Sequence, residues 1–184
     1  MKKIAITLTA AAVALFANPT AIQTAKESMQ KLGGALQGEL RTKMKEDASG
    51  LLAVEYCADE AQKITLEVSK ELGENVEIRR TALKYRNQAN EPTIQDIEIM
   101  RQMRQAIEEK GVDADTILEV VEGQETIYVY KPLTVGNSCY RCHGAASDID
   151  PKLLDTIKQK FPYDQAINFA RGDFRGAIVT EIKK

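Results

Sequence analysis

The segment Thr116–Gly144, "TILEVVEGQETIYVYKPLTVGNSCYRCHG", contains the two patterns on which the interpretation of this chain depends. Its first part reads as two strands rich in β-branched and aromatic residues, with a turn at Glu122-Gly123-Gln124 between them. Such runs around a glycine-containing turn are typical of an antiparallel hairpin. Its last part holds two cysteines three positions apart and, beside the second, the only histidine of the chain. We expect this cysteine motif (Cys139, Cys142 and His143) to lie on a loop.

Helical and strand patterns surround this segment on both sides. Apolar residues at spacings of three and four predict long helices over Thr20–Asp47 and Ala48–Leu72, with Gly73 as a helix stop. Together with the hairpin they predict an α+β domain, a small antiparallel sheet with a long helical N-terminal layer. The other predicted elements are strands over Asn75–Leu83 and Asp173–Ile182, helices over Pro92–Lys110 and Pro151–Phe161, and a loop over Lys84–Pro92.

The composition fits one ordinary globular domain. The chain has 184 residues, of which 43% are hydrophobic, so it is long enough to bury a sizeable core. Its formal net charge of -2 argues against nucleic acid as a partner. We therefore expect a single domain over residues 20–184.

Residues 1–17 have the pattern of a secretory signal peptide. Lys2 and Lys3 precede a 14-residue apolar run from Ile4 to Ala17, and small residues and a proline follow. We place the cleavage site between residues 17 and 21. The run is shorter than the roughly 20 residues of a membrane span, although an uncleaved membrane anchor is the alternative. We expect export to the periplasm and no stable membrane span after cleavage.

The C-x-x-C-H pattern is the attachment signature of a c-type haem. The thiols of Cys139 and Cys142 would add across the two vinyl groups of the porphyrin, and His143 would bind the iron from one side. Attachment of this kind occurs outside the cytoplasm, which is where the predicted signal peptide directs the chain. The sequence thus predicts one covalently bound haem c.

Two other sites are compatible with the same residues. Cys139 and Cys142 could form a C-x-x-C disulfide, although no thioredoxin-like βαβ pattern precedes them. The three cysteines, which include Cys57, could also form a Cys3His zinc site with His143. In that site the adjacent Cys142 and His143 would be awkward tetrahedral neighbours. The motif and the signal peptide together favour haem.

The second axial ligand of the iron cannot be another histidine, because the chain has only one. The candidates from the residues alone are a Met thioether, the thiol of Cys57, a Lys amine, or no protein ligand at all. Cys57 lies on the apolar stripe of its predicted helix, where it can equally be a buried free cysteine that packs as a small hydrophobic residue. The methionines that remain after signal removal are Met29, Met44, Met100 and Met103.

The sequence resembles a known family, the bacterial and cyanobacterial mono-haem c-type domains with a PAS-like core, over about residues 45–184. The resemblance implies a PAS-like small antiparallel sheet with long N-terminal helices, thioethers at Cys139 and Cys142, His143 as proximal ligand and Cys57 as distal ligand. In the family pattern a proline commonly follows the Arg-Asn pair, where this chain has Gln88. The resemblance rests on "AVEYCADEAQKI" (Ala53–Ile64), "RRTALKYRNQANEP" (Arg79–Pro92), "YVYKPLTVGNSCYRCHG" (Tyr128–Gly144) and "FPYDQAINFARGDFRGAIVTEI" (Phe161–Ile182).

These observations favour an exported mono-haem cytochrome that transfers electrons, or is redox-poised, and meets a redox partner protein. The alternative is a haem-based sensor of redox state or of NO or CO that signals through a separate partner. We expect no enzyme, because no catalytic constellation is evident, and weak peroxidase-like activity is the alternative. A homodimer through the N-terminal helices is a further expectation.

A group of basic residues lies near the predicted loop and the end of the hairpin. One or two of them could pair with haem propionates, because planar Arg suits carboxylates, or the group could form a solvated sheet edge. We expect Asn87 and Asn90 to bond their own loop backbone. The basic residues are Arg79, Arg80, Lys84, Arg86 and Lys131.

Overall fold

The computed structural model describes residues 18–184, so the predicted signal peptide lies outside the described residues. Short 3-10 turns lie at Gln88–Asn90 and Ala114–Thr116. No helix within residues 18–184 combines the length and the apolar composition that a membrane span requires. The helices and strands are α1 (Pro19–Glu46), α2 (Leu51–Asp59), α3 (Ala61–Glu71), β1 (Val76–Thr81), α4 (Ile94–Glu108), β2 (Glu119–Glu122), β3 (Thr126–Thr134), α5 (Asn137–His143), α6 (Pro151–Lys160) and β4 (Phe174–Lys183).

The four strands form one antiparallel sheet in the order β1-β4-β3-β2. The predicted hairpin is confirmed as β2 and β3, in which Glu122 pairs with Ile127 across the turn. The C-terminal strand β4 lies between β1 and β3, so the last residues of the chain hold the sheet together. Its alternating side chains face the two sides of the sheet in turn.

Helices cover both faces of the sheet. Helices α1 and α3 cover one face, where Leu32 and Val68 pack with Ile78, Val129 and Ile178 of the strands. Helix α4 covers the opposite face. A second cluster there holds Met100, Met103, Tyr130, Ala177 and Val179. The predicted α+β fold with a small antiparallel sheet and long N-terminal helices is confirmed.

The predicted single helix over Ala48–Leu72 is wrong, because α2 and α3 are separate helices that meet at Glu60. The backbone departs from helical values there, with φ at -115°. The change in direction lets α2 pack against α1 and α6 while α3 packs against β1. The predicted stop after α3 is confirmed, since Gly73 has a φ of +89°.

The start predicted for α4 at Pro92 is also wrong by two residues. The helix begins at Ile94, and Thr93 is its N-cap. The Thr93 hydroxyl accepts from the N–H of Asp96, and the Asp96 carboxylate accepts from the N–H of Thr93. This reciprocal capping box satisfies the backbone N–H groups of Thr93 and Asp96 at the start of the helix.

The prediction that the cysteine motif lies on a loop is wrong, because the motif forms α5. Gly136 is the N-cap, and the N–H of Tyr140 donates to its carbonyl over 3.0 Å. The helix ends at Gly144, whose N–H donates to the Tyr140 carbonyl over 2.7 Å. A Cβ at Gly144 would lie 2.6 Å from that carbonyl oxygen and 2.8 Å from the Tyr140 ring. Glycine is therefore required where the chain leaves the helix.

Candidate functional site

One cavity brings together all four side chains that the sequence singled out. Cys57 enters it from α2, and Cys139, Cys142 and His143 enter it from α5. The apolar wall of the cavity includes Leu40, Val54 and Phe161. The four residues are thus neighbours in space, and the roles assigned to them remain predictions.

Two of the thiols share one apolar environment. Cys57 and Cys142 both pack against the cluster formed by Val54, Leu153 and Phe161. Burial raises the pKa of the Cys57 thiol above its ordinary value, and the nearby Cys142 adds to this effect. Burial likewise raises the pKa of Cys142. Without a metal or a covalent partner, both thiols are therefore neutral at pH 7.

His143 is held by a hydrogen bond from one of its ring nitrogens. Its Nδ1 lies 2.7 Å from the carbonyl oxygen of Ala166. A carbonyl can only accept, so Nδ1 carries the proton and the lone pair is on Nε2. Burial and the nearby Arg175 and Arg86 lower the pKa of His143 well below its ordinary value. The imidazole is therefore neutral, which is the form that binds a metal ion.

Phe169 packs against the histidine and fixes its backbone. The two rings are T-shaped, with centroids 6.3 Å apart and an interplanar angle of 83°. The N–H of Phe169 donates to the His143 carbonyl over 3.0 Å. Lys84 Nζ lies 4.2 Å from the centre of the Phe169 ring and donates to the carbonyl of Ile167. The imidazole is thus oriented by a hydrogen bond and by an aromatic neighbour.

Arg86 connects the predicted loop to both sides of the histidine. Its guanidinium donates to the carbonyls of Cys142 and Ala166 over 2.7 and 3.0 Å. It also pairs with Asp164, at 3.1 Å, and both side chains are less than a tenth exposed. Since Ala166 also accepts from His143, one guanidinium fixes the motif and the carbonyl that orients its histidine.

The basic residues that the sequence placed together lie in different parts of the structure. Arg80 and Arg86 line the cavity, whereas Arg79 lies on the opposite face of the sheet and Lys131 lies beside Asp115. Arg79 and Arg80 separate because neighbouring residues of a strand face opposite sides. The sequence interpretation missed Arg175, which also lines the cavity. The only indication of Arg175 in the sequence is its position in β4, a strand that the hydrophobic alternation predicts.

The two asparagines of the loop differ in their contacts. The Asn87 side chain accepts from the N–H of Ala89 over 2.9 Å, as predicted. Asn90 instead uses its backbone carbonyl, which accepts from the N–H of Ala82 at the end of β1. Both residues line the cavity. The loop is thereby attached to the sheet beside the site.

The geometry reduces the number of alternative ligands. Met100 and Met103 are buried residues of α4, which packs on the opposite face of the sheet, and Met29 is a buried residue of α1 in the core. Met44 is the methionine that lines the cavity. Within residues 18–184, no group of three or more His, Cys, Asp or Glu side chains is arranged to hold a metal ion, which disfavours the zinc alternative. The three cysteines are free thiols in the structure.

Comparisons with known proteins place this site in a family. The family model described as Tll0287-like matches residues 4–182. The crystal structure described as that of the cyanobacterial heme-protein Tll0287 superimposes with a TM-score of 0.67 at 24% sequence identity. The match covers 91% of this chain and 98% of that chain, and at this identity it concerns the fold. No curated protein matches the sequence significantly. The chain belongs to the Tll0287-like family.

Proposed function

We propose that this chain is an exported mono-haem c-type cytochrome that acts in electron transfer or as a redox-poised haem protein. Cys139 and Cys142 would form the two thioethers, His143 would be the proximal ligand and Cys57 the distal ligand. Family membership supports the proposal, because the solved structure with the matching fold is described as a heme protein.

The observation that carries the proposal is the state of His143. Metal-bound histidines characteristically donate their second ring N–H to a carbonyl or a carboxylate, which fixes the tautomer and the ring orientation. Here Nδ1 is bonded to Ala166 at 2.7 Å, and Nε2 belongs to a ring that lines a cavity shared with three thiols. A histidine arranged in this way fits an iron ligand.

A second observation concerns charge. Arg80 lines the same cavity, and its buried Nε has no hydrogen-bond partner within residues 18–184. A haem carries two carboxylates and would bring a counter-charge to such an arginine. The apolar wall and a cation without a carboxylate partner among the described residues therefore both fit the group that the cysteine motif implies.

The residues of this chain would set the properties of the cofactor, and the haem would supply the one-electron couple of its iron. Ala166 and Arg86 hold the proximal imidazole in place. The apolar residues beside Cys57 would keep water away from that side of the cofactor. A thiolate ligand favours the ferric state, so the reduction potential should be low for a c-type haem.

Absorption spectra of purified protein test this function directly. Ferric protein should be low-spin, and the reduced protein should remain six-coordinate and bind CO slowly or not at all. Cys57→Ser should convert the ferric iron to high spin or admit water, and raise the potential. Met44→Leu is the matched control, because Met44 lines the same cavity. If Cys57→Ser keeps the wild-type spectrum and Met44→Leu loses it, the distal ligand is Met44.

A second candidate function, sensing of redox state or of a small gas, is favoured by the environment of Cys57. Its thiol is neutral unless it binds a metal, because burial raises its pKa. If Cys57 held the iron, it would be able to give up that bond by taking up a proton, and the cavity would then have room for a small gas ligand. Prompt binding of CO or NO to the reduced protein, with a change in tryptic protection of α2, would favour the sensor over the carrier.

Export to the periplasm is part of the proposal. The thioether bonds require a compartment with cytochrome c maturation, and the 1–17 segment has the pattern that would direct the chain there. Edman degradation or intact mass of the mature protein should place its N-terminus between residues 18 and 22. A mature chain that retains Met1 would contradict cleavage.

A further inference from the structure

Three arginines line the cavity, and they differ in how far their donors are satisfied. A guanidinium has five N–H donors and is charged at every physiological pH. Arg86 donates to Asp164, Cys142 and Ala166, so it has both a counter-charge and carbonyl acceptors. Arg80 and Arg175 have no carboxylate within ion-pair distance in the described part of the chain. The cavity therefore contains more positive than negative charge.

Arg80 has the clearest deficit. Its Nη2 donates to the carbonyl of Ala61 over 3.2 Å and to Gln62 over 3.4 Å, both at the start of α3. These two bonds fix the guanidinium from one side. Its Nε is buried and has no acceptor among residues 18–184. A buried donor without an acceptor costs free energy, and a buried cation without a counter-charge costs more.

Arg175 adds to the positive potential. One of its terminal nitrogens donates to the carbonyl of Lys84 over 3.0 Å, and its guanidinium carbon lies 5.6 Å from the centre of the Phe169 ring. Both contacts are to groups without a net charge. Arg80 and Arg175 are thus held in position by neutral acceptors, beside a cavity that can admit an anion.

We infer that Arg80 forms a carboxylate-binding subsite of the cavity, with Arg175 as a second cation, and that it holds a propionate of the bound haem. This inference rests on the proposed function. A guanidinium binds a carboxylate through charge-assisted N–H···O bonds, which would neutralise the charge that the described residues leave without a carboxylate partner. Arg80 would therefore set the orientation of the haem in its plane and also its reduction potential.

The test compares Arg80→Gln, which removes the charge, with Arg80→Lys, which keeps the charge and loses the planar fork. Arg101→Gln is the control, because Arg101 is exposed on α4 and does not line the cavity. The intact mass of each holoprotein is measured first. Wild-type protein without a covalent haem would refute the proposed function itself, whatever Arg80 does.

With the haem in place, Arg80→Gln should lower the reduction potential, because loss of a nearby cation favours the more positive ferric iron. The propionate bending bands in resonance Raman spectra should also shift, Arg80→Lys should lie between the two, and Arg101→Gln should match wild type. Haem-loaded Arg80 variants with wild-type potential and wild-type propionate bands would overturn the subsite alone. If Arg80→Gln does not fold, unchanged propionate bands in Arg80→Lys decide against it.

Discussion

Arg79 and Arg80 are neighbours on β1, and they have opposite surroundings. Arg79 faces α4, where its terminal nitrogens donate to both oxygens of Asp96 at 2.9 and 3.0 Å and its Nε donates to Glu181 at 2.6 Å. Tyr130 adds a hydroxyl bond to the same Asp96, at 2.9 Å. Arg80 faces the cavity and has no carboxylate partner among the described residues. On one face of the sheet Arg79 is paired with carboxylates of the chain, and on the other face Arg80 has no such partner among the described residues.

This difference separates a structural arginine from one that is arranged for a ligand. Arg79 donates to Asp96 and Glu181, so its carboxylate partners belong to the chain. That cluster therefore needs no bound ligand to be stable. Burying the guanidinium of Arg80 also costs desolvation, and residues 18–184 supply no carboxylate within ion-pair distance to offset it. A buried group that is not satisfied calls for an explanation, and a bound anion is the explanation that we propose for Arg80.

The largest expected effect comes from breaking the satisfied cluster. Asp96 is 0% exposed, so Asp96→Asn leaves Arg79 partly unpaired in the protein interior. We expect a loss of about 3 kcal/mol in the free energy of unfolding, which is typical when one partner of a buried pair is removed. Urea unfolding of haem-free protein measures it. Arg80→Gln in the same haem-free protein should leave the free energy of unfolding unchanged or raise it. An equal loss of unfolding free energy in both variants would contradict the difference between Arg79 and Arg80.

A smaller effect is expected at Gly144, which lets the chain leave α5 beneath Tyr140. A Cβ there would lie 2.8 Å from the Tyr140 ring and closer still to its carbonyl. Gly144→Ala should cost roughly 1–3 kcal/mol, as overpacking does, and should lower the fraction of chains that carry haem.

The matched control for Gly144→Ala is Gly34→Ala. Gly34 is exposed on α1, and a Cβ at that position would meet nothing within 4 Å. Alanine is favoured over glycine in a helix interior by up to about 1 kcal/mol, so this variant should be neutral or slightly stabilised. Thermal unfolding followed by circular dichroism compares the two substitutions. Equal stability of the two variants would show that the contact with Tyr140 relaxes without cost.

The fold was largely predictable from the sequence, and the predictions that were wrong failed for physical reasons. The hairpin, β4, α1 and α6 follow from strong periodicity, which local side-chain spacing determines. The helix α5 has only seven residues and no amphipathic pattern, so nothing local distinguished it from a loop. The break at Glu60 reflects packing of α2 and α3 on different partners, which a continuous apolar stripe does not reveal.

The site was predictable only in part. The cysteine motif is local, so its three residues could be recognised together. Cys57 is 82 positions before Cys139, and the resemblance, not any spacing, indicated it as a ligand. The pairing of β1 with β4 places Arg80 opposite Ile178, close to where Arg175 enters the cavity. Such non-local register brings residues together that no sequence window contains, which is why Arg175 was missed.

The smallest effect expected is on the pH dependence of stability. Burial alone would raise the pKa of Asp96, but its bonds to Arg79, Thr93 and Tyr130 outweigh burial and lower the pKa below the ordinary 3.8. A carboxyl group with a lowered pKa in the folded state contributes stability that is present above the unfolded value. That stability is lost as the pH falls through the folded value. Wild-type protein should therefore lose stability below about pH 4, and Asp96→Asn should lose less over the same range. Parallel acid titrations of the two proteins would contradict this assignment.

The most direct test of the account is the intact mass of the denatured mature protein, produced in a host with working cytochrome c maturation. We predict the mature chain plus one haem, with the haem retained on the tryptic peptide that contains Cys139 and Cys142. Cys139→Ala and Cys142→Ala should each keep one covalent link, and the double variant should lose the haem on denaturation. A wild-type mass equal to that of the polypeptide alone would contradict the assignment of this cavity to a covalent haem.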